Sequence, residues 1–394
     1  MTAQTILPAN TLSSGGYEVS NSLRFNRGSS DNLSKSFGSG NRNTFTISAW
    51  VKRSSAGASI DVHPIFSRYT AANDAGFLGL YLNVNSLNFT GYNTILLQTN
   101  RFFRDFSAWY HIVLAADTTQ GTAANRLKLY VNGVQETSFA TANYPDEDAD
   151  LAINENVAHY VGRYKDNYMN GYMSEVCFID GLALAPTSFG EFDEDSGIWK
   201  PIKVSGLTFG TNGFYHEFKQ VGTSQNSSGM GADTSGNDNH FAVNNLTALD
   251  QSTDTCTNNF ATMNPLSANE MAFSNGNLDV AQASDDGGGS RTDDNARGTI
   301  GVKSGKWYWE TKLTGATAPA VVGICFDELA QGNDLSGSTG VYAIQNASGT
   351  YAYSRLNGTT AETAGFPNPV ANNIMSLAFD ADNAKLYIGI NGTY

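Results

Sequence analysis

Carboxylates are the first residues to weigh for chemistry. Glycosidases built on β-strands place acids at alternate positions, as Glu-x-Asp-x-Glu, so that nucleophile and acid share one face about 5 Å apart. Glu191-Phe192-Asp193-Glu194-Asp195 comes near that spacing. Its third position is Asp, Glu194 sets a charge on the opposite face, and Ser196-Gly197 follows at once. The run therefore reads as an acidic turn, and no catalysis is expected from it. His216-Glu217 opens like the metalloprotease His-Glu-x-x-His, but Gln220 stands where the second histidine belongs. The other histidines, His63, His111, His159 and His240, are never close neighbours in sequence, and there is no Gly-x-Ser-x-Gly elbow and no phosphate-binding Gly-x-x-x-x-Gly-Lys loop. A non-enzymatic protein is expected.

Calcium is the one cofactor the residues suggest. Hard cations take several oxygen ligands, and two runs could supply them: Asp146, Glu147, Asp148 and Asp150, and Asp233 with Asn237, Asp238 and Asn239. Neither run has the fixed spacing of an EF-hand. Tryptophan faces raise the question of sugar stacking. Trp109, Trp307 and Trp309 lie in dense strand text and read as core, where burial of such a ring stabilises the fold by about 5 kcal/mol gross. Trp50 falls out of phase with Phe45, Ile47 and Ala49, so it points to the other sheet face. There it is either a ligand platform or a ring under a covering loop, and it is the one ligand-binding candidate among the tryptophans.

The elements that must position these groups are strands. Thr44 to Lys52 alternates apolar and polar residues, Trp109 to Ala116 reads as a strand covered on both faces, and Leu127, Leu129 and Val131 alternate into Asn132-Gly133, a type I′ hairpin signal. Gly171 to Gly181 gives a further strand. No long stretch shows a 3.6-residue repeat, so the expected fold is all-β. A second block repeats the grammar: Met375 to Asp380, a turn, Ala384 to Ile390 and Asn391-Gly392 parallel Ile112 to Asp117, a loop, Leu127 to Val131 and Asn132-Gly133. Two tandem β-sandwiches follow, covering residues 19–221 and 265–394, with the Ser/Asn/Gly-rich text of 222–264 as linker and residues 1–18 as an N-terminal docking segment. The second block stops soon after its Asn-Gly turn, so it is expected to be incomplete at the C-terminus.

The chain has 394 residues, 37 acids and 23 bases, giving a net charge of −14. Nucleic-acid binding needs Lys and Arg to neutralise phosphates, and that excess is missing, so nucleic acid is not an expected partner. No stretch approaches the ~20 apolar residues of a membrane helix, so membrane insertion is not expected, and the start lacks an export signal. Cys177, Cys256 and Cys325 are odd in number and far apart, the pattern of buried thiols.

Leu23-Arg24-Phe25-Asn26, Phe45 to Lys52, Trp109 to Val113 and Leu129 to Gly133 resemble the laminin-G/concanavalin-A-like jelly-roll family over about Val19 to Pro201. Gly305-Lys306-Trp307-Tyr308-Trp309-Glu310, Val322 to Cys325 and Tyr387 to Gly392 resemble the SPRY family, itself a concanavalin-like sandwich. Thr5 to Thr11, Gly197-Ile198-Trp199-Lys200-Pro201 and Asn258 to Leu266 resemble segments of tailed-bacteriophage virion proteins. These resemblances imply a tail fibre or tail-associated adhesin that presents lectin-like modules to a bacterial surface polysaccharide or receptor. It would assemble in the host cytoplasm with other virion proteins, as a homo-oligomer of which a trimer is the form common among fibres. A capsid-decorating or tail-lattice protein, held by protein contacts, is the alternative they leave open.

Overall fold

The computed structural model describes residues 16–55, 61–73, 76–269, 271–282, 295–315, 321–326, 339–346, 351–357 and 359–394. Most of the expected N-terminal docking segment thus lies outside the described residues. The chain divides into two compact units, one built on residues 8–265 and 273–279, the other chiefly on 266–272 and 280–394.

The first unit is a sandwich of two eight-stranded antiparallel sheets. The first sheet runs Val134–Gln135, Leu127–Val131, Tyr110–Asp117, Thr44–Arg53, Gly171–Asp180, Ser22–Phe25 and Gln251–Ser252, with Phe214–His216 also paired to Gly171–Asp180. The second runs Phe139–Ala142, Ile95–Thr99, Ser86–Gly91, Phe77–Asn83, Val62–Tyr69, Ala158–Val161, Asn32–Ser36 and Ala242–Asn244. The period of two explains the packing. Phe45, Ile47, Ala49 and Val51 face the shared core with Phe66, Leu80, Phe89 and Phe178, while Ser48, Trp50 and Lys52 face the other way. Asn132 and Gly133 take φ of 48° and 78° between paired Val131 and Val134, the two positive values a type I′ turn requires.

One strand breaks the alternation. Between Ser174 and Cys177 the register of Gly171–Asp180 on Thr44–Arg53 shifts by a β-bulge, and Glu175 sits there with φ of 50°. Met173 and Val176 both face the core, three positions apart. Without the extra residue Glu175 would follow Met173 inward, so the bulge keeps a carboxyl out of the apolar core.

The expectation of a linker at 222–264 is corrected. Ala242–Asn244 pairs with Asn32–Ser36, and Gln251–Ser252 pairs with Ser22–Phe25. Met230, Phe241 and Leu246 are buried in the core cluster. Lys52 donates to Asp254 Oδ2 at 2.8 Å, to Asn259 Oδ1 at 2.8 Å and to the Phe260 carbonyl at 2.9 Å, so this segment covers the outer face of the first sheet. The polar composition reflects side chains that satisfy backbone groups in turns, as described below, and the sandwich extends to Pro265.

In the second unit, Lys306–Lys312, Ile374–Asp380 and Lys385–Ile390 form one antiparallel sheet, and Val321–Cys325, Val341–Gln345, Tyr351–Leu356 and Thr359–Pro367 another. Its core gathers Ile344, Ala352, Met375 and Leu377, with Trp309, Val322 and Ile388 packed against them. The Ile374–Asp380 and Lys385–Ile390 pair repeats the Tyr110–Asp117 and Leu127–Val131 pair of the first unit, and each ends on an Asn-Gly with positive φ at both residues.

Candidate functional site

Trp50 is not a ligand platform. It is 3% exposed and packs in one cluster with Trp109, Tyr172 and Trp199, the last supplied by the hairpin of Gly190–Phe192 and Trp199–Pro201. Its ring stacks on His111 at 4.8 Å, and His111 accepts from Trp199 Nε1 at 3.0 Å while its Nε2 meets Ser48 Oγ at 2.9 Å. Burial pushes His111 down to about 3, so it is a neutral imidazole suited to these bonds. In that hairpin Asp193 accepts from the Ser196 amide and hydroxyl and from Lys200 at 3.0 Å, closing the turn that the acidic run suggested.

The two candidate calcium runs are put to other uses. Asp146, Glu147, Asp148 and Asp150 stand on an exposed loop. That loop is tied down by its backbone: the Asp148 amide donates to the Thr118 carbonyl at 2.9 Å, and Asn43 donates to the Asp148 carbonyl at 3.0 Å. Glu147 pairs with Arg126 at 3.3 Å and Asp150 with Arg42 at 4.0 Å. Asp233 is buried and already takes four donors: the amides of Tyr215, Ser235 and Asn239 at 2.8 Å and the Ser235 hydroxyl at 2.9 Å. Asn237 donates to the Gly210 and Gly213 carbonyls, and the Asp238 side chain is 89% exposed beside His240. These residues staple a loop to the 210–213 turn. Among the described residues no group of three or more His, Cys, Asp or Glu is arranged to hold a metal.

What the fold does build is a groove on the outer face of the second sheet. It has a volume of about 340 Å³ and is lined by Ser34, Lys35, Ser36, Ala158, Tyr160, Gln225 and Ala242. Its floor is three paired strands, with Tyr160 opposite Ser34 on one side and Ser67 on the other, and Ser34 opposite Ala242. His159 and Val161 point into the core, where His159 stacks on Phe37 at 4.1 Å, so Ala158 and Tyr160 point outward. One wall is the loop 222–229, closed on itself by the Gly222 to Ser228 and Met230 to Gly222 backbone bonds. Gln225 on that wall donates to the His240 carbonyl at 3.0 Å, which leaves its amide oxygen as an acceptor.

Beyond Tyr160 the strand Ala158–Val161 leads into the hairpin of Arg163–Tyr164 and Asn167–Tyr168. Gly162 lets the chain leave the sheet there: its φ is 79°, and a Cβ would meet the Phe25 ring at 2.7 Å. Ser67 Oγ donates to the Arg163 carbonyl at 2.6 Å. The Arg163 guanidinium lies 4.8 Å from the Tyr160 ring centroid and 5.6 Å from that of Tyr168, and its Nε donates to the Lys165 carbonyl at 2.9 Å. Tyr164 turns back to stack on Phe77 at 3.9 Å and Tyr81 at 5.7 Å, anchoring the hairpin in an aromatic cluster on the same face.

Sequence reasoning missed this groove. The text His159-Tyr160-Val161-Gly162-Arg163-Tyr164 to Tyr168, with aromatic rings interleaved with a cation and turn residues, carried a signal. Two buried polar clusters were also missed. Glu175 accepts from Tyr17 at 3.2 Å and from Tyr215, and burial lifts its carboxyl from 4.5 to about 7. Asp61, fully buried, accepts from Arg27 at 2.7 Å, Arg53 at 3.2 Å and Ser55 at 3.0 Å, and lies 2.9 Å from His63.

Residues 27–186 match the family model Laminin_G_3, described as the concanavalin A-like lectin/glucanases superfamily. The first unit is thus a concanavalin A-like jelly-roll sandwich. No curated protein matches the chain. Among solved structures, the heptameric SAP-like pentraxin of Limulus polyphemus is similar at 15% identity and a TM-score of 0.32, over 43% of this chain and 80% of that one. Domain 4 of the arabinanase AbnA of Geobacillus stearothermophilus, solved with arabinotriose, is similar at 17% identity and a TM-score of 0.26, over 40% and 69%. Full-length tailspike protein 2 of an Escherichia coli O157:H7 bacteriophage is similar at 16% identity and a TM-score of 0.32, over 48% of this chain and 28% of the tailspike.

Proposed function

We propose that this chain is a non-enzymatic glycan-binding protein of a tailed-bacteriophage virion, acting as a tail fibre or tail-associated adhesin. The observation that carries the reading is the composition of the groove on a lectin-like sandwich. Ser34, Ser36 and Gln225 offer hydroxyls and an amide that complement sugar hydroxyls, and Tyr160 offers an apolar ring edge beside them. No carboxylate is among the residues lining it, whereas glycoside hydrolysis commonly takes a facing pair. The virion setting is supported by the resemblance of Gly197 to Pro201 and Asn258 to Leu266 to phage segments. A single groove of this size binds weakly, and several copies on one particle raise avidity through effective concentration.

The test is a glycan array probed with the purified chain, followed by calorimetry on the hits. Tyr160→Ala is expected to weaken binding at least ~10-fold, about 1.4 kcal/mol, with the melting temperature kept. Binding unaffected by this substitution would place recognition elsewhere. A chain that binds virion proteins and no glycan would favour the capsid or tail-lattice role.

A further inference from the structure

The outer face of the first sheet holds a buried amine against a carboxamide, with a carboxylate bonded to the amine. Lys52 points away from the shared core, and its side chain is 1% exposed. Its ammonium donates to Asp254 Oδ2 and Asn259 Oδ1, both at 2.8 Å, and to the Phe260 carbonyl at 2.9 Å, so all three N–H bonds are used. Asp254 is oriented through its other oxygen. Its Oδ1 accepts from Trp109 Nε1 at 3.1 Å and from the Phe260 amide at 3.4 Å, which leaves Oδ2 for the amine. The Asn259 carboxamide is fixed in turn, because its Nδ2 donates to the Ser107 carbonyl at 2.6 Å. The Tyr172 ring, packed with Trp109, lies with its centroid 5.8 Å from Nζ. Burial lowers the affinity of Lys52 for its proton, and the Asp254 and Asp105 carboxylates offset that only in part.

From this arrangement we propose that Lys52 and Asn259 condense to an amide within the folded chain, with Asp254 as the base. The Lys52 ammonium passes one proton to Asp254 Oδ2, and the free amine attacks Asn259 Cγ to form the Nζ–Cγ bond. Asp254 gives that proton to Nδ2 and takes a second one from Nζ as the Cγ–Nδ2 bond breaks. Ammonia leaves, and Asp254 ends protonated. An ammonium, a carboxylate and a primary amide thus become a carboxylic acid, a secondary amide and ammonia, with no oxidant and no further reactant. Holding the two partners in contact is the main source of rate, since well-oriented groups react as though present at ~10⁵ M or more. The neutral carboxamide is a better acyl donor than the ionised Asp254, which is left to move protons. Asn259 is half-buried, which gives the ammonia a way out. The bond joins residues 207 positions apart and fastens the segment after Gln251–Ser252 over the first sheet. In a chain whose three cysteines are free, it restricts the unfolded state as a disulfide would.

The experiment is the intact mass of the full chain, incubated folded and then denatured, followed by protease digestion and tandem mass spectrometry. The expected mass lies about 17 Da below that of the sequence, one ammonia, with a branched peptide joining Lys52 to residue 259. Lys52→Arg, Asn259→Ala and Asp254→Asn should each show the full mass of its own sequence. Asn259→Ala keeps the Lys52–Asp254 ion pair and removes only the acyl group, so a lower melting temperature in this variant reads the bond apart from the pair. A wild-type chain that keeps its full mass after prolonged incubation would overturn the proposal. The same ammonia loss persisting in Lys52→Arg would also overturn it, because succinimide formation at another asparagine gives that mass. A loss of about 18 Da with a link to Asp254 would be loss of water and would overturn the assigned roles.

Discussion

Glu175 couples the stability of the sandwich to pH in a direction opposite to that of most carboxylates. It is 5% exposed at the bulge, its Oε2 accepts from Tyr17 and Tyr215, and Glu217 lies close enough to disfavour a second negative charge. Burial is the largest cause of its rise from 4.5 to about 7, and the two tyrosine hydroxyls only partly offset it. Between those values the folded protein keeps the proton and the unfolded chain releases it, so stability falls as pH rises through the window and is level above it. At about 1.4 kcal/mol per pH unit, the gap corresponds to about 3 kcal/mol lost between pH 4.5 and 7. Glu175→Gln keeps an acceptor for both tyrosines and removes the titration. Urea unfolding of both proteins at pH 5, 6, 7 and 8 isolates the effect, because every other titrating group cancels in the difference. The variant should gain on the wild type by about 3 kcal/mol from pH 5 to pH 8. A difference that stays constant over this range would refute the assignment of a neutral buried carboxyl.

The buried histidines act in the opposite sense. His63 and His216 are pushed down to about 4, and His111 and His159 to about 3, by burial, so the unfolded chain takes up protons that the folded one refuses; thermal stability should drop steadily from pH 6.5 to pH 4, read by differential scanning calorimetry. Lys52→Ala leaves Asp254 buried without its cation and should cost about 3–5 kcal/mol in urea unfolding, with Trp109, whose Nε1 donates to the same carboxylate at 3.1 Å, reporting the change by fluorescence. Gly162→Ala forces a methyl against Phe25 and should cost about 2 kcal/mol and weaken glycan binding by loosening the hairpin. Chelation by EDTA should leave the melting temperature within ~1 °C, since the Asp233 carboxylate is filled by protein donors.

The strands were legible because alternation is a direct consequence of the pleat. Phe45, Ile47, Ala49 and Val51 named the core face, and the same parity put Trp50 on the outer one. The Asn-Gly pairs at 132–133 and 391–392 named their turns for an equally local reason. The segment 222–264 misled because Asn and Ser suit a solvated linker and a hydrogen-bonded loop alike. Asp233, Asn237 and Asn239 use their side chains to replace missing backbone partners, which composition does not reveal. The groove was hidden for a topological reason. Ser34, Tyr160, Gln225 and Ala242 are far apart in sequence and meet only once the strands of the second sheet are ordered. The bulge at Glu175 is a single extra residue, and only the register on Thr44–Arg53 exposes it.

The central claim is that the groove beside Tyr160 recognises a saccharide. The most direct measurement is a pair of binding isotherms for the best glycan on the array, wild type against Tyr160→Ala, with melting temperatures recorded for both. The account predicts a loss of at least ~10-fold at an unchanged melting temperature. Equal affinities in two equally folded proteins would contradict it.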